Sequence, residues 1–573
     1  MRFSKKYIVC ALLIVLTLFG KFNSWHDRYS AVETFRGANL KDEVFYPLMS
    51  KNINDMKAMH LNINGKAFEN NNEKFIIDAS MQPAVSLDFV RDDLRGSVYR
   101  KNELSIILHN ANDEYEFLIG NETATQNGDD YVLCAVPSEY NGQIYLGLED
   151  VCKIYGFGYV YNEQKKVAEI TVKDYPKLPA KFDLRKADKV SVVRNQGSDA
   201  TCWACASLEA MESTLRPLIK DEFSVDAMIK ENSFGLEEDL GGDYTMALAY
   251  LLSWQGPKVK NSKNVLAELT TNQEKNAIHL QEAQFFTAED LDGIKSAVYR
   301  YGGVSTSIYA SATTSNLSGS NCYNRRTNSY CYMGNHKPNH DIVIVGWDDN
   351  YPADNFGDDV TSDGAFICQN SWGKNFGENG IFYISYYDTN IGKQAVSYTK
   401  IDTLNKYSSI YQSDLCGWVG QIGYHKQWAY GANVFKASEN QMVEATGFYA
   451  LEPQTSYQVY FVPDYKNVGS FGERKLVAKG TLDAAGYYTI PFSTAQDVSL
   501  GKEFAVIVYL NSPETLRPLA IEYPDKKLKS NADISDGKGY ISNNGLDWER
   551  VEDVAKANLC IKAYANKKVE VLE

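Results

Sequence analysis

A cysteine, a histidine and an asparagine follow one another along the 573-residue chain in an order that suits a nucleophile, a base and an orienting group. Cys202 lies in the run QGSDATCWA, which begins at Gln196, and the candidate partners His340 and Asn370 follow far downstream. A thiolate can attack a carbonyl carbon, an imidazole can take and return the proton, and an amide can hold the imidazole in place. The three residues therefore predict covalent hydrolysis of peptide bonds.

The residues around Cys202 predict how the thiol is activated. Good helix formers follow it, so we expect Cys202 at the start of a helix. A helix N-terminus favours negative charge, and a neighbouring imidazolium lowers the pKa of a thiol further. The side-chain amide of Gln196, together with the backbone N–H of Cys202, could donate hydrogen bonds to an oxyanion.

Two histidines are candidates for the base. His340 precedes an apolar, strand-like run, whereas His336 lies in the loop before it, and spacing alone does not choose between them. Asn370 ends another strand-like run, and its side-chain oxygen can accept a hydrogen bond from an imidazole N–H. Trp372 could shield that hydrogen bond from water.

Three motifs in this part of the chain resemble those of the papain-like cysteine peptidases, namely QGSxxxCWA, NHxxxxxGW and NSWG. The resemblance covers residues 178–400 and implies a two-lobed catalytic domain with a helical lobe and a β-barrel-like lobe. It implies Cys202 as the nucleophile, His340 rather than His336 as the base, Asn370 as the orienting residue and Gln196 as the oxyanion donor.

The same resemblance assigns substrate-binding roles. Gly241 and Gly242 match the family segment that pairs with the substrate backbone, where a close approach leaves no room for a Cβ atom. Asp243, Tyr244 and Ser307 would then border the pocket for the second residue on the acyl side of the scissile bond. Trp372 would also line the substrate cleft.

The chain departs from the family pattern at one disulfide. Plant and animal members usually have a cysteine three residues before the nucleophile, bridged to one just before the two glycines. Asp199 and Leu240 occupy these positions here, which is consistent with a bacterial branch. The helical prodomain motif of the family is not found either. Elsewhere Cys322 and Cys331 are the best local candidates for a disulfide, and buried free thiols are the alternative for the remaining cysteines.

The length and net charge of the chain limit its domain organisation and its binding partners. A chain of 573 residues is too long for one hydrophobic core, so several domains are expected. The net charge of −15 argues against nucleic acid as a partner, because phosphate binding needs a basic surface. We find no nucleotide-binding fingerprint and no paired Cys-x-x-Cys zinc spacing, so no cofactor or metal is predicted.

The N-terminus predicts export. Arg2, Lys5 and Lys6 precede an apolar run from Tyr7 to Gly20, which has the length of a signal-peptide core. We assign residues 1–24 to a signal peptide or anchor and residues 25–58 to a linker. The protein is therefore expected outside the cytoplasm, either secreted or on the cell surface.

Residues 59–175 contain an internal repeat. Each copy predicts an amphipathic helix followed by a two-stranded hairpin. The first copy comprises 87–90, 98–99 and 104–107, and the second comprises 148–151, 160–161 and 167–170. The pattern resembles the small α+β module named for the N-terminal domain of copper amine oxidases. No cluster of metal ligands accompanies it, so no copper chemistry follows.

Residues 408–565 alternate apolar and polar residues between turn-forming residues, which predicts an antiparallel β-sandwich. This part resembles the lectin-like domain that follows papain-like domains in some exported bacterial and archaeal peptidases. Contact with a cell wall or a glycan is a possible role, although the fold alone does not imply it. The fold class expected for the whole chain is multidomain α+β.

The leading hypothesis is an exported, monomeric cysteine endopeptidase that acts on extracellular or cell-surface proteins and peptides. The alternative is a surface adhesion or carbohydrate-binding protein in which the peptidase has a secondary role. Acyl transfer to an amine is a third possibility, because the same thioester intermediate permits it.

Overall fold

The computed structural model describes residues 59–68, 70, 74–78, 81–140, 142–235, 241–260, 278–287, 290–310, 320–357 and 359–568. The predicted signal peptide and linker, 1–24 and 25–58, lie outside these residues. Across the part that is described, no helix has the length and apolar character needed to cross a membrane. The chain divides after Tyr175 into two compact units.

The N-terminal unit consists mainly of short strands. The strands are β1 His60–Ile63, β2 Lys66–Phe68, β3 Phe75–Ile77, β4 Pro83–Ser86, β5 Ser97–Arg100, β6 Ser105–Asn110, β7 Asp113–Leu118, β8 Thr123–Gln126, β9 Asp129–Val132, β10 Ser138–Tyr140, β11 Gln143–Gly147, β12 Gly158–Asn162 and β13 Val167–Thr171. The helical segments are α1, Leu148–Tyr155, and a short turn with π-type hydrogen bonding, Phe89–Asp93.

Both copies of the repeat have the predicted order of a helical segment and an antiparallel hairpin. In the first copy Phe89–Asp93 precedes the β5–β6 hairpin, and in the second α1 precedes the β12–β13 hairpin. The apolar faces of both copies, including Phe89 and Val151, lie in one buried cluster. The resemblance of residues 59–175 to the copper amine oxidase module stays a prediction.

The second unit begins with the part that carries the predicted catalytic residues. Its strands are β14 Lys181–Asp183, β15 His279–Phe286, β16 Val304–Ile308, β17 Tyr323–Asn324, β18 Ser329–Tyr330, β19 His340–Asp348, β20 Ala365–Gln369, β21 Ile381–Ser385 and β22 Ala395–Asp402. Its helices are α2 Cys202–Leu215, α3 Val225–Lys230, α4 Tyr244–Leu252 and α5 Leu291–Arg300, with 3₁₀ turns at Leu184–Ala187 and Ala353–Asn355.

Helix α2 forms the centre of this region. Residues from Trp203 to Ser213 are all buried, so the helix is packed around nearly its whole circumference, as expected of a core helix. It packs against α3 and α4 on the helical side, and against β16, β19 and β22 on the sheet side. Cys202, its first residue, therefore lies where the helical and β-rich parts meet.

The remaining part of the second unit is built from strands. They are β23 Ser409–Tyr411, β24 Gly420–Ile422, β25 Trp428–Lys436, β26 Gln441–Ala450, β27 Thr455–Val462, β28 Lys475–Leu482, β29 Ala485–Val498, β30 Glu503–Asn511, β31 Leu519–Glu522, β32 Gly539–Ser542, β33 Glu549–Arg550, β34 Asn558–Leu559 and β35 Ile561–Lys567. A 3₁₀ turn spans Val468–Glu473, and the short helix α6 spans Val551–Val554.

These strands form the predicted antiparallel sandwich. One sheet has the order β28-β27-β30-β25-β32-β33, and β23, β26, β29 and β35 form the facing layer. Apolar side chains from the two layers, among them Phe448, Val459, Phe461 and Val508, fill the space between them. The predicted multidomain α+β organisation is confirmed.

The facing layer of the sandwich continues directly into the catalytic region. Strand β15 pairs antiparallel with β22 on one side and with β29 on the other, so both regions share one sheet. Gly486 allows this close pairing, because a Cβ atom on it would lie 2.2 Å from the carbonyl oxygen of Ala283. The predicted disulfide between Cys322 and Cys331 is not formed: both thiols are free, although the Cys331 N–H donates to the Cys322 carbonyl over 3.1 Å.

Candidate active site

Cys202 is the first residue of α2 and is partly exposed. Its Sγ atom accepts hydrogen bonds from the backbone N–H groups of Asp341, Trp203 and Cys202 itself. Thr201, which precedes the helix, does not cap it with its side chain, so the first N–H groups of α2 are left for other acceptors. Sulfur thus lies against the positive end of the helix and beside the residue that follows His340.

Asn370 holds His340 in one orientation. The Asn370 Oδ1 atom accepts a hydrogen bond from the Ser371 N–H over 2.8 Å and lies 2.8 Å from His340 Nε2. Because a backbone N–H can only donate, the atom at this position is the amide oxygen, and Nε2 must carry the proton. His340 Nδ1 is therefore the basic nitrogen, available to accept a proton from a thiol.

Burial keeps the thiol and the imidazole neutral when each is considered alone. It raises the pKa of the Cys202 thiol to about 12, an effect to which the Asp341 carboxylate adds, and it lowers the pKa of His340 to about 4. Transfer of the proton from sulfur to Nδ1 creates both charges at once, and each then stabilises the other. The thiol of Cys202 and the imidazole of His340 are thus suited to ionise together, as a thiolate and an imidazolium.

Trp372 covers the imidazole. Its ring centroid lies 4.7 Å from that of His340 in a stacked arrangement, and Phe376 packs edge-on against Trp372 with a centroid distance of 5.0 Å. His340 is only 5% exposed as a result. A hydrogen bond that is kept from water in this way is stronger than one in solvent.

The segment that contains Asn370 fixes the side chain of Gln196, the candidate oxyanion donor. The Gln196 N–H donates to the Ser371 carbonyl over 2.9 Å, and the Ser371 hydroxyl donates to Gln196 Oε1 over 2.6 Å. Gln196 Nε2 donates to the Asp199 carbonyl over 2.7 Å. An amide nitrogen carries two N–H groups, so one remains to donate to a substrate oxygen.

A buried ion-pair network lies beneath this loop, and sequence analysis did not identify it. Arg194 donates to Glu212 over 2.6 Å and lies near Glu209, and both carboxylates come from α2. Burial raises the pKa of Glu209 to about 8. The Arg194 carbonyl accepts a hydrogen bond from the Gly373 N–H over 2.8 Å, so Arg194 joins α2 to the Asn370 segment.

The segment that leads into α4 lies against the first turn of α2. Gly242 has to be glycine, because a Cβ atom on it would lie 2.6 Å from the Trp203 ring. Gly241 has φ of +66°, a left-handed conformation that side chains disfavour. Asp243 caps α4 by accepting a hydrogen bond from the Thr245 N–H over 2.8 Å. Leu240 lies outside the described residues.

Ser307 and Asp341 are cross-strand neighbours. They are directly opposite each other in the β16–β19 pairing, and the Ser307 side chain hydrogen-bonds the Asp341 side chain. Asp243 is close enough to raise the pKa of the Asp341 carboxyl group, and Asp341 is close enough to raise the pKa of the Tyr244 hydroxyl. The structure thus brings Asp243, Tyr244 and Ser307 around Asp341. Asp341 was missed in the sequence analysis, although its position directly after the candidate base was a usable signal.

His336, the alternative base, is exposed and stacks on Tyr309 with a centroid distance of 4.8 Å. His340, by contrast, contacts Asn370 and precedes the residue that touches Cys202. Among the residues that the structure describes, no group of three or more His, Cys, Asp or Glu side chains is arranged to hold a metal ion.

Two family models match the second unit. The model described as papain family cysteine protease matches residues 178–399, and the model described as lectin like domain matches residues 410–565.

Curated relatives match the catalytic region. A viral cathepsin of Epiphyas postvittana nucleopolyhedrovirus is 26% identical over 248 residues, which are 41% of this chain and 69% of the relative. Mouse cathepsin S is 28% identical over 213 residues, which are 35% of this chain and 57% of the relative.

Two solved structures share the fold of both matched regions. One is the clostridial cysteine protease Cwp84 after propeptide cleavage, with a TM-score of 0.58, 23% identity and coverage of 68% of this chain and 99% of that chain. The other comprises the cysteine protease and lectin-like domains of Cwp84, described as a surface layer associated protein of Clostridium difficile. It has a TM-score of 0.57 at 22% identity and covers 68% of this chain and 90% of that chain.

Proposed function

Residues 178–399 form a papain family cysteine protease domain, and we propose that within it Cys202, His340, Asn370 and Gln196 hydrolyse peptide bonds of extracellular proteins. The observation that carries the proposal is the Asn370–His340 hydrogen bond, which leaves Nδ1 as the base, together with a thiol at the start of α2. All four residues come from one chain, so a monomer suffices.

In the first half of the reaction, His340 Nδ1 takes the proton of Cys202, and sulfur attacks the carbonyl carbon of the scissile bond. The oxyanion that forms accepts hydrogen bonds from Gln196 Nε2 and from the backbone N–H of Cys202. His340 then gives its proton to the departing amine, the C–N bond breaks, and the acyl group remains on sulfur as a thioester.

In the second half, water replaces the amine. His340 takes a proton from water, the hydroxide oxygen attacks the thioester carbon, and the same two donors stabilise the second oxyanion. The C–S bond breaks, sulfur recovers the proton from His340, and the carboxylic acid leaves.

A chemical test of the proposal uses the full chain. We expect it to cleave a denatured protein substrate at internal positions and to be inactivated by an epoxysuccinyl thiol trap that is recovered on Cys202 by peptide mass analysis. Hydrolysis that survives complete modification of Cys202 would contradict the proposal.

Gln196→Ala is expected to lower kcat/KM about 10²- to 10³-fold, because one oxyanion donor is lost. The matched control is Ser371→Ala, which removes only the hydroxyl that orients the Gln196 amide. Steady-state kinetics should give a much smaller loss for Ser371→Ala. Equal rates for Gln196→Ala and the unmodified chain would remove Gln196 from the proposed oxyanion site.

We also propose that the protein works outside the cytoplasm. The basic residues and apolar run within residues 1–20 support this, and the Cwp84 structure at 22% identity is described as that of a surface layer associated protein. Extracellular or surface proteins would then be the substrates.

A contact between the lectin-like domain and a cell-wall polysaccharide is the second proposal. Tyr430 on β25 lies opposite Tyr509 on β30, with ring centroids 4.7 Å apart, and Trp428 precedes them at 37% exposure. Amphipathic rings of this kind suit a ligand with apolar faces and polar edges.

Trp428→Ala is expected to weaken binding of the full chain to purified cell-wall polysaccharide about tenfold. The control is Leu500→Ala, which removes an exposed apolar side chain from a turn of the same domain. Equal retention of both variants on the polysaccharide would argue against this contact.

A further inference from the structure

Asp341 is an acidic residue at a position where the proposed substrate meets the nucleophile. It follows His340 at the start of β19, and its backbone N–H donates to Cys202 Sγ. Successive side chains of a strand point to opposite faces, so the Asp341 side chain points away from the His340–Asn370 pair. There it meets Ser307 from β16, directly opposite in the strand pairing.

Residues from several structural elements lie near the Asp341 carboxyl group. Ser307 of β16 hydrogen-bonds this carboxyl group, and Asp243, in the segment leading into α4, raises its pKa. Tyr244, the first residue of α4, lies close enough for the charge of Asp341 to raise the pKa of the Tyr244 hydroxyl. Tyr244 packs against Phe285 of β15, with ring centroids 6.4 Å apart. Asp341 thus has a second carboxyl group and an aromatic side chain near it, and it lies beside the Cys202 thiol.

Among the described residues, neither carboxylate has a cationic partner. In the ranges that the structure describes, Asp243 and Asp341 form no ion pair, and the groups that act on Asp341 are a hydroxyl and a second carboxylate. One oxygen of Asp243 caps α4, and the other has no hydrogen-bond partner among the described residues. The Asp243 carboxylate disfavours the charge on Asp341, and a basic side chain bound beside Asp341 would offset that cost.

We propose that Asp243, Tyr244, Ser307 and Asp341 together form a pocket that selects substrates with lysine or arginine as the second residue on the acyl side of the scissile bond. The proposal rests on the proposed function, because it assigns the pocket to the acyl side of a peptide bound at Cys202. Asp341 would be the main determinant, since it is the less exposed of the two carboxyl groups and the one beside the nucleophile. The apolar stem of the basic side chain would pack along Tyr244.

Two peptide substrates that differ at one residue test this directly. They carry lysine or norleucine at the second acyl-side position and are otherwise identical, so they match in length and differ in charge. We expect kcat/KM for the lysine peptide to exceed that for norleucine about tenfold to 100-fold near pH 7.5. The ratio of the two values is the readout, because damage to catalysis affects both peptides alike.

Asp341→Asn keeps the shape of the side chain and removes its charge, and we expect the ratio to fall close to one. Asp226→Asn is the matched control, because it removes one exposed carboxylate from α3, outside the described site. A ratio near one in the unmodified chain, or a ratio that Asp341→Asn leaves unchanged, would overturn the inference.

The pH dependence gives a second readout. Burial and the neighbouring Asp243 raise the pKa of the Asp341 carboxyl to about 6, so the group is charged above that pH and neutral below it. The ratio should therefore fall as the pH drops through about 6. The other titratable groups that face Asp341 are Cys202, Asp243, Tyr244 and Tyr398. Burial raises the pKa of Cys202 and of Tyr244 to about 12, and raises that of Tyr398, so these three stay protonated in this range.

Failure of the inference can be told apart from failure of the proposed function. If both peptides are cleaved equally well, the peptidase proposal stands and the selectivity is wrong. If neither is cleaved, binding of the two peptides to Cys202→Ala protein still tests the pocket. Tighter binding of the lysine peptide by about tenfold supports the pocket, and equal binding overturns it.

Discussion

Cys202→Ala is expected to lower kcat/KM for peptide hydrolysis by at least about 10⁴-fold, because the variant lacks the thiol that forms the covalent intermediate. The remaining hydrogen-bond donors, Gln196 Nε2 and the backbone N–H of residue 202, can still bind a substrate carbonyl. Substrate affinity should therefore survive while turnover is lost. Fluorogenic peptide assays and direct binding measurements on the same protein separate the two quantities.

Cys205→Ala is the control for this prediction. Cys205 lies one turn further along α2, is 2% exposed and is also a free thiol, so it tests the removal of a cysteine from the same helix. We expect Cys205→Ala to stay within a few-fold of the unmodified chain and to be labelled by the thiol trap at Cys202. Hydrolysis by Cys202→Ala at a rate comparable to that of Cys205→Ala would contradict the nucleophile assignment.

Much of the candidate site could be predicted from local sequence, because the helix and strands that hold its residues are determined by the residues next to them in the chain. The helix formers after Cys202 predict a helix that begins at this residue, and α2 does begin there. The apolar run after His340 predicts β19, and the run before Asn370 predicts β20. Residues at the ends of these elements are therefore brought together when the elements pack.

Other features depend on contacts between distant parts of the chain, and no local pattern encodes them. The Ser371 hydroxyl that holds Gln196 and the Arg194–Glu212 ion pair are of this kind. The pairing of β15 with β29, which joins the catalytic and lectin-like regions in one sheet, is another. Apolar alternation predicts that each strand exists, but the partner on each edge follows from the whole fold.

Asp341 stands between these two cases. Its residue type and its position after the candidate base were visible in the sequence, whereas its pairing with Ser307 and its proximity to Asp243 required the structure. An acidic residue directly before the apolar run 342–345 conflicts with the local pattern, since β19 is buried along most of its length. Such conflicts are more frequent at functional sites than elsewhere in a fold.

His340→Ala is expected to lower kcat/KM about 10⁴-fold, because the thiol then loses the group that takes its proton and the amine loses the group that returns it. Asn370→Ala should cost less, about tenfold to 100-fold, since it removes one hydrogen bond that orients the imidazole. This order of effects separates a base from a residue that positions it. A larger loss for Asn370→Ala than for His340→Ala would contradict the assignment.

The acid side of the pH profile tests the same pair in a different way. Burial lowers the pKa of His340 to about 4, so the neutral imidazole is available above that pH and is lost as the pH falls through it. With the norleucine peptide, whose side chain carries no charge to pair with Asp341, kcat/KM should fall on the acid side near pH 4. Trp372→Ala exposes the His340 ring to water, so the fall of kcat/KM on the acid side should move to higher pH, toward the ordinary histidine pKa of about 6.5. A limb that stays in place in Trp372→Ala would mean that stacking against Trp372 does not set the protonation of the base.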